Sequence, residues 1–333
     1  MKKSIVTFFL FILVISMAIA RGQHDSGLST EKRIVLRLAD NQPIGYPTVL
    51  GDEEFARLVD LYSHGRIKVE VYPGGQLADE KSAIEQVQFG GIDFTRVSLS
   101  PLASFQPLLN ALQMPYLYRD ASHMWKVLNG EIGQYFLDSM QEKGFIGLVY
   151  YDSGARSFYN TARPIFTLSD IKSMKIRVQE SALMMGLVQA LGAVPTPMSY
   201  GDVYSALQTG IIDGAENNWP SYQTSKHYEV AKYFSINEHT RVPEIVIASK
   251  ITMDTLSAED QEIIRKAAKE SQAVQIAAWS EFEKMSEEKV RAGGSQINQI
   301  ADYAEFAAAM STLYDSQLNA DQRAWVDKIK AVE

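Results

Sequence analysis

Arg177 lies in Met174-Lys175-Ile176-Arg177-Val178-Gln179, where apolar and polar residues alternate. That is the period of a strand with one apolar and one polar face. A guanidinium is a fixed planar fork that meets a carboxylate through two parallel hydrogen bonds. Near the carboxyl end of a strand, where open α/β sheets hold their ligands, it is a candidate anion clamp. On pattern alone a solvated charge or a salt bridge is the commoner role for a strand arginine. A second arginine, Arg156, stands in Gly154-Ala155-Arg156-Ser157-Phe158-Tyr159-Asn160, directly after an apolar run. Asp213-Gly214-Ala215-Glu216-Asn217-Asn218-Trp219-Pro220 packs polar side chains next to a large ring. Beside the arginines, this cluster offers amide donors and acceptors and a large aromatic ring.

The elements that must position these groups alternate strand and helix, which predicts an α/β fold. Strands are expected over Ile34–Ala39, Ile67–Tyr72, 92–97, 145–150 and Glu244–Ser249. The loop after the first carries Asn41 and Gln42. Helices are expected over 52–63, 79–89, 122–137 and 182–191, the last closed by Gly192. Leu168-Ser169-Asp170-Ile171 reads as a short helical turn opened by Ser169, and Ser199 with Asp202 as a capping box. Residues 259–289 form an unbroken helical run, a strut, and 303–330 terminal helices. The segments 145–150 and 239–243 are expected to cross between two halves. Gln88-Phe89-Gly90-Gly91-Ile92-Asp93 and Gln208-Thr209-Gly210-Ile211-Ile212-Asp213 share Gln-x-Gly-x-Ile-Asp. The repeat implies two similarly built halves, with Arg96 and Ser98 in one facing Asn217 and Asn218 in the other.

The chain opens on Lys2 and Lys3, an apolar run over 5–15 and Ala18-Ile19-Ala20, the pattern of a targeting segment cut after Ala20. Residues 21–32 read as a polar leader. Removing residues 1–20 takes away two lysines and no acid, so 32 basic and 40 acidic residues become 30 and 40, a net charge of −10. Such a balance, with no basic stripe, argues against nucleic acid and anionic membrane partners. There is no cysteine, which removes disulfides and thiolate metal sites. No His-Glu-x-x-His, Gly-x-Ser-x-Gly or nucleotide-binding glycine loop is present, and no cofactor is expected. About 300 mature residues exceed what one core usually serves.

With Tyr72-Pro73-Gly74-Gly75-Gln76-Leu77, Gly91-Ile92-Asp93-Phe94, Leu191-Gly192-Ala193 and Tyr204-Ser205-Ala206-Leu207-Gln208-Thr209-Gly210 in the same order, the chain from Ile34 onwards resembles the solute receptors of tripartite ATP-independent periplasmic (TRAP) transporters. The resemblance implies a two-lobed, type II-like periplasmic-binding-protein fold, with hinge strands and a long C-terminal helix spanning both lobes. Lobe I would comprise 33–152 and 241–281, and lobe II 153–240 and 282–333. Arg177 would pair with the ligand carboxylate, Arg156 would be a second ligand-facing arginine, Asn217 would complete the contacts and Tyr200 would pack on the ligand. Thr95-Arg96-Val97-Ser98, Glu216-Asn217-Asn218-Trp219 and Glu238-His239-Thr240 resemble the branch that takes hexuronic acids, glucuronate or galacturonate. Asn41, Gln42, Ser98, Asn217 and Asn218 would then meet the hydroxyls, with Arg96 and Arg156 on ring or hydroxyl oxygens or sharing the carboxylate. Trp219 or Tyr200 would stack on the ring, and His239 would lie at the site. Arg96 has a structural alternative, bonding within the hinge. The implied partners are a sugar acid and the small and large TRAP membrane components, driven by an ion gradient, in the periplasm. The alternatives are a receptor for sialic acid, an aldonate or a C4-dicarboxylate, a receptor of an ATP-driven importer, or a periplasmic enzyme using Glu216, Glu238 or His239.

Overall fold

The computed structural model describes residues 33–300 and 303–333, so the targeting segment and leader expected at the N-terminus lie outside the described residues. Two mixed sheets dominate the fold. The first contains β1 (Ile34–Ala39), β2 (Ile67–Tyr72), β3 (Phe94–Ser98), β4 (Phe145–Tyr151) and β10 (Glu244–Ser249), in the order β2-β1-β3-β10-β4. The second contains β5 (Ala155–Asn160), β6 (Lys175–Val178), β7 (Val194–Pro197), β8 (Gly214–Asn217), β9 (Tyr233–Arg241) and β11 (Gln296–Gln299), in the order β11-β9-β5-β8-β6-β7. Every residue of β3, β4 and β10 is buried; β4 and the middle of β10 read as apolar runs, whereas β3 buries Thr95, Arg96 and Ser98.

The chain passes from the first sheet to the second through Asp152-Ser153-Gly154 and returns through Val242-Pro243. The passages run side by side, because Tyr151 is paired with Glu244 in one sheet and Ala155 with Arg241 in the other. Ser153 Oγ donates to Val242 O between them at 2.5 Å. The expected crossing 145–150 lies instead within β4, one step before the passage, and of 239–243 only Val242-Pro243 makes the return, residues 239–241 ending β9.

The helix Ala258–Ala292 spans 35 residues, which at 1.5 Å per residue is about 50 Å. Ser257 caps it, Glu259 and Asp260 occupy its first turn, and Lys289 and Arg291 its last, all matched to the helix dipole. Gln275 grips the first crossing, its Oε1 accepting from Asp152 N at 2.7 Å and its Nε2 donating to Asp152 O at 2.9 Å. Tyr151 meets Ser271 at 2.7 Å. Further along, Val290 joins the cluster of Tyr159, Tyr222 and Phe234 behind the second sheet. The strut expected from the sequence therefore packs on both halves.

Gly154 sits where crossing and strut meet. Its φ of +61° is left-handed, and a Cβ there would lie 2.5 Å from Glu283 Oε1 and 3.1 Å from the Trp279 ring. Gly154→Ala should cost roughly 2–4 kcal/mol, combining the backbone penalty with overpacking. Urea unfolding monitored by circular dichroism measures it, and a loss under 1 kcal/mol would contradict this geometry.

Several local expectations are corrected. The turn Leu168–Ile171 is capped by Thr167 in a reciprocal box with Asp170, not opened by Ser169. Ser199 Oγ donates to the Asp202 carboxylate at 2.8 Å and caps no backbone N–H, so no capping box forms there. The helical stretch 122–137 is two helices, Ala121–Leu128 and Glu131–Asp138, parted at Asn129-Gly130. The short edge strands β7 and β11 had no clear alternating signal. β7 carries two prolines, tolerated because an edge strand leaves N–H groups unpaired.

Candidate ligand-binding site

The repeated Gln-x-Gly-x-Ile-Asp builds the same corner twice. In one copy Asp93 Oδ2 accepts from the backbone N–H of Arg37 on β1 at 2.7 Å; in the other Asp213 Oδ2 accepts from that of Lys175 on β6 at 2.8 Å. Each aspartate thus fixes the entry of the strand that follows, β3 or β8, against its parallel neighbour. β3 delivers Arg96, and β8 delivers Glu216 and Asn217. Arg156 reaches the same place from β5, which pairs with β8 through Ser157–Asn217, and Arg177 from β6, opposite Ala215.

Arg96, Arg156, Arg177 and Asn217 converge on one small polar cavity. Asn41, Gln42, Glu80, Arg96 and Glu244, from elements of the first sheet, form one wall; Arg156, Arg177, Gln179, Tyr200, Asn217, Asn218 and Ser221, from the second, form the other. Tyr46 Oη and Ser221 Oγ, 2.9 Å apart, join the two sides beside it. A wider groove over Pro115, Tyr116, Tyr314 and Leu318 lies elsewhere, and its Arg323–Asp315 pair is exposed. Of the two, the smaller is the one walled by buried guanidinium groups among the described residues, and convergent polar groups are part of what marks a binding site.

The three arginines differ in what they are bonded to. Arg96 is saturated: Nε donates to Asp40 Oδ2 at 2.9 Å, Nη1 to Glu244 Oε2 at 2.8 Å and Nη2 to Asn41 Oδ1 at 2.7 Å, with a further contact to Asp40 Oδ1. Arg156 holds Glu216 in a two-pronged pair, Nε to Oε2 at 2.6 Å and Nη2 to Oε1 at 2.9 Å, while Nη1 donates to Asn217 Oδ1 at 2.9 Å. Arg177 donates from Nε and Nη2 only to the carbonyl of Met198, at 3.1 and 2.7 Å. Among the described residues no carboxylate stands within ion-pair distance of it, although it is only 4 % exposed. Burial alone lowers an arginine's pKa. Carboxylates reverse that for Arg96 and Arg156, whereas Arg177 stays lowered. The group remains a cation, because no protein environment readily deprotonates arginine. A buried charge without a counter-ion is costly, and Arg177 is left in that position among the described residues.

Acceptors are also left open. Gln42 Oε1 and Gln179 Oε1 are buried with no hydrogen-bond partner among the described residues. Both residues line the cavity, and each can take a ligand hydroxyl.

Of the residues singled out from the sequence, Arg177, Arg156, Arg96, Asn217, Asn218, Asn41, Gln42 and Tyr200 line the cavity. Ser98, Trp219 and His239 are not among its lining residues. The Trp219 ring lies on Phe234 with centroids 3.9 Å apart, packed into the apolar cluster behind the sheet. His239 is fully buried, stacked on Phe158 at 4.5 Å, with Nε2 3.4 Å from Glu216 Oε2. Ser98 gives its backbone N–H to Glu80 Oε1 at 2.6 Å. Sequence reasoning missed Glu80, Glu244, Gln179 and Ser221. Gln179 stood on the polar face of the very strand that drew attention to Arg177, and Glu244 opened an expected strand, so both carried a signal.

Two of the acid–base candidates, Glu216 and His239, are fully buried against each other. Burial pushes Glu216 up, but Arg156 and His239 overcome it and hold the carboxyl at about 2. Burial lowers His239, outweighing its bond to Glu216.

A family described as "Bacterial extracellular solute-binding protein, family 7" (DctP) matches residues 38–321. The chain belongs to this family. Among DctP relatives, a solute-binding protein of Chromohalobacter salexigens is 39% identical over 82% of this chain and 81% of its own length. A crystal structure of a TRAP periplasmic solute-binding protein from Bradyrhizobium sp. BTAi1, in complex with α/β-D-galacturonate, superposes with a TM-score of 0.88 at 45% identity, covering 89% of this chain and 99% of that one. A second, from Roseobacter denitrificans with bound β-D-glucuronate, gives a TM-score of 0.88 at 38% identity over 90% of this chain and 100% of that one. DctP-family chains are solute receptors, and the two-sheet α/β architecture with its long C-terminal helix is the periplasmic-binding-protein fold expected from the sequence.

Proposed function

We propose that this receptor captures a hexuronate, galacturonate or glucuronate, between its two sheets and delivers it to a TRAP-type secondary transporter. The observation that carries the reading is Arg177, a buried guanidinium with two walls of hydroxyl-binding groups around it and no carboxylate of its own. A uronate supplies what is missing: one carboxylate for the fork and vicinal hydroxyls for Gln42, Gln179, Asn41, Asn217 and Asn218. Tyr200, on the Arg177 side, is the ring best placed to pack on the sugar. Arg96 and Arg156 act mainly as braces, already holding Asp40, Glu244 and Glu216. The relatives crystallised with galacturonate and glucuronate support the same chemistry.

The lobes are 33–152 with 241–281 and 153–240 with 282–333, hinged at the paired crossings. Contacts from both walls make the closed form the tighter binder, which drives closure. The receptor is exported by its N-terminal segment to the periplasm, acts without catalysis, and docks on the small and large membrane components. Titration calorimetry and thermal shift with galacturonate, glucuronate, aldonates, sialic acid and C4-dicarboxylates test this. A uronate at 100 times its Kd should add about 2.7 kcal/mol of stability, and NMR should recover it unchanged. No shift with either uronate, or turnover of it, removes the reading.

A further inference from the structure

We infer that Glu80 and Glu244 make the first-sheet wall of the cavity a subsite for hydroxyl donors that rejects a second carboxylate, so the receptor takes monoanionic sugar acids and excludes dianionic ones. This rests on the uronate reading above and adds a boundary to it.

The two walls differ in their balance of charge. On the second-sheet side, Arg156 and Arg177 face a single carboxylate, Glu216, which Arg156 already holds. On the first-sheet side, one guanidinium, Arg96, stands among Asp40, Glu80 and Glu244 at distances that include 2.8 Å to Glu244 and 3.8 Å to Glu80. Three carboxyl groups against one cation leave that wall rich in acceptors and short of cations. Burial is the main cause that raises Glu80 and Glu244 above the ordinary carboxylate range, Glu244 to about 7, with neighbouring acids adding to it.

Each glutamate also has one oxygen left over. Glu80 Oε1 takes the Ser98 N–H at 2.6 Å, and Glu244 Oε2 takes Arg96 Nη1 at 2.8 Å. Glu80 Oε2 and Glu244 Oε1 have no hydrogen bond among the described residues, and both side chains line the cavity. A carboxylate only accepts, so what satisfies these atoms is a donor, such as a sugar hydroxyl. A carboxylate in the same place would bring no donor and would meet like charge wherever the glutamates are ionised. A ligand with its single carboxylate on Arg177 and hydroxyls elsewhere fits both walls.

Galactonate and galactarate share one open-chain skeleton and differ only in whether the far carbon is a hydroxymethyl or a carboxylate. Each is used to displace galacturonate from the purified receptor. Because a like-charge contact costs several kcal/mol, galactarate should displace at least about 100-fold more weakly than galactonate. Glu80→Gln and Glu244→Gln, each keeping a hydrogen-bonding group of the same shape, should each shrink that gap at least about five-fold. If neither acid displaces galacturonate from the native receptor, displacement by galactarate gained in either variant supports the inference, and its absence in both overturns it. Equal displacement in the native receptor, or a gap unmoved in both variants, also overturns it. Should Glu244→Gln fail to fold, Glu80→Gln decides alone. Failure of the parent reading is distinguishable, because galacturonate itself would then give no binding signal.

Discussion

Arg177→Met should remove most of the uronate binding and at the same time raise the stability of the ligand-free receptor. The two effects have one cause. In the native chain the guanidinium is buried, bonded to one carbonyl, and balanced by no carboxylate among the described residues. Replacing it with an apolar side chain of similar length removes an uncompensated charge, worth about 1 kcal/mol or more by analogy with other buried ions. The same substitution removes the two-pronged contact to the ligand, and truncating one partner of a buried charge pair costs roughly 2–5 kcal/mol of binding. Arg177→Lys keeps a charge but loses the fork, and should weaken binding by about ten-fold or more. Calorimetry gives the affinity and urea unfolding the stability. A variant that loses binding and stability together would show that Arg177 holds the fold rather than the solute.

Glu216→Ala should do the opposite to stability. Glu216 is fully buried, and Arg156 is bonded to both of its oxygens. Deleting it strands Arg156, with an expected loss of about 3–5 kcal/mol. The native pair also predicts an acid limb. The folded carboxyl titrates at about 2, against 4.5 for the free group. Its contribution is therefore fully present above about pH 4.5 and is lost as pH falls from there towards 2. Over that interval the loss is about 3 kcal/mol. Melting temperature against pH measures it, and a Glu216→Gln variant should lack this part of the decline. An unchanged acid limb in that variant would assign the decline to other carboxylates.

The frame of this molecule was readable where its strands alternate, as in β2, or run apolar, as in β4. β1, β2 and β10 fall where the pattern placed them, and the Gln-x-Gly-x-Ile-Asp repeat marked two corners with the same aspartate-to-backbone bond. The site was readable in its residue types but not in its partnerships. Nothing in the spacing of Arg96, Arg156 and Arg177 says which of them is already neutralised. That depends on Asp40, Glu244 and Glu216, which arrive from strands distant in the chain. Trp219 was misplaced for a related reason. A large ring beside two asparagines suits a sugar stack, but the helix that starts at Trp219 turns it onto Phe234 instead. β7 and β11 were missed because four-residue edge strands carry too few positions to show a period.

The 35-residue helix rests on both halves. On the hinged reading proposed above, parting the walls would flex or slide this rod against Asp152 and the aromatic cluster around Val290. It would then work as a leaf spring, setting how far the jaws relax and how readily they snap back. Substitutions along its grip, at Ser271 or Gln275, would retune capture and release from the far side of the molecule while leaving the recognition chemistry intact.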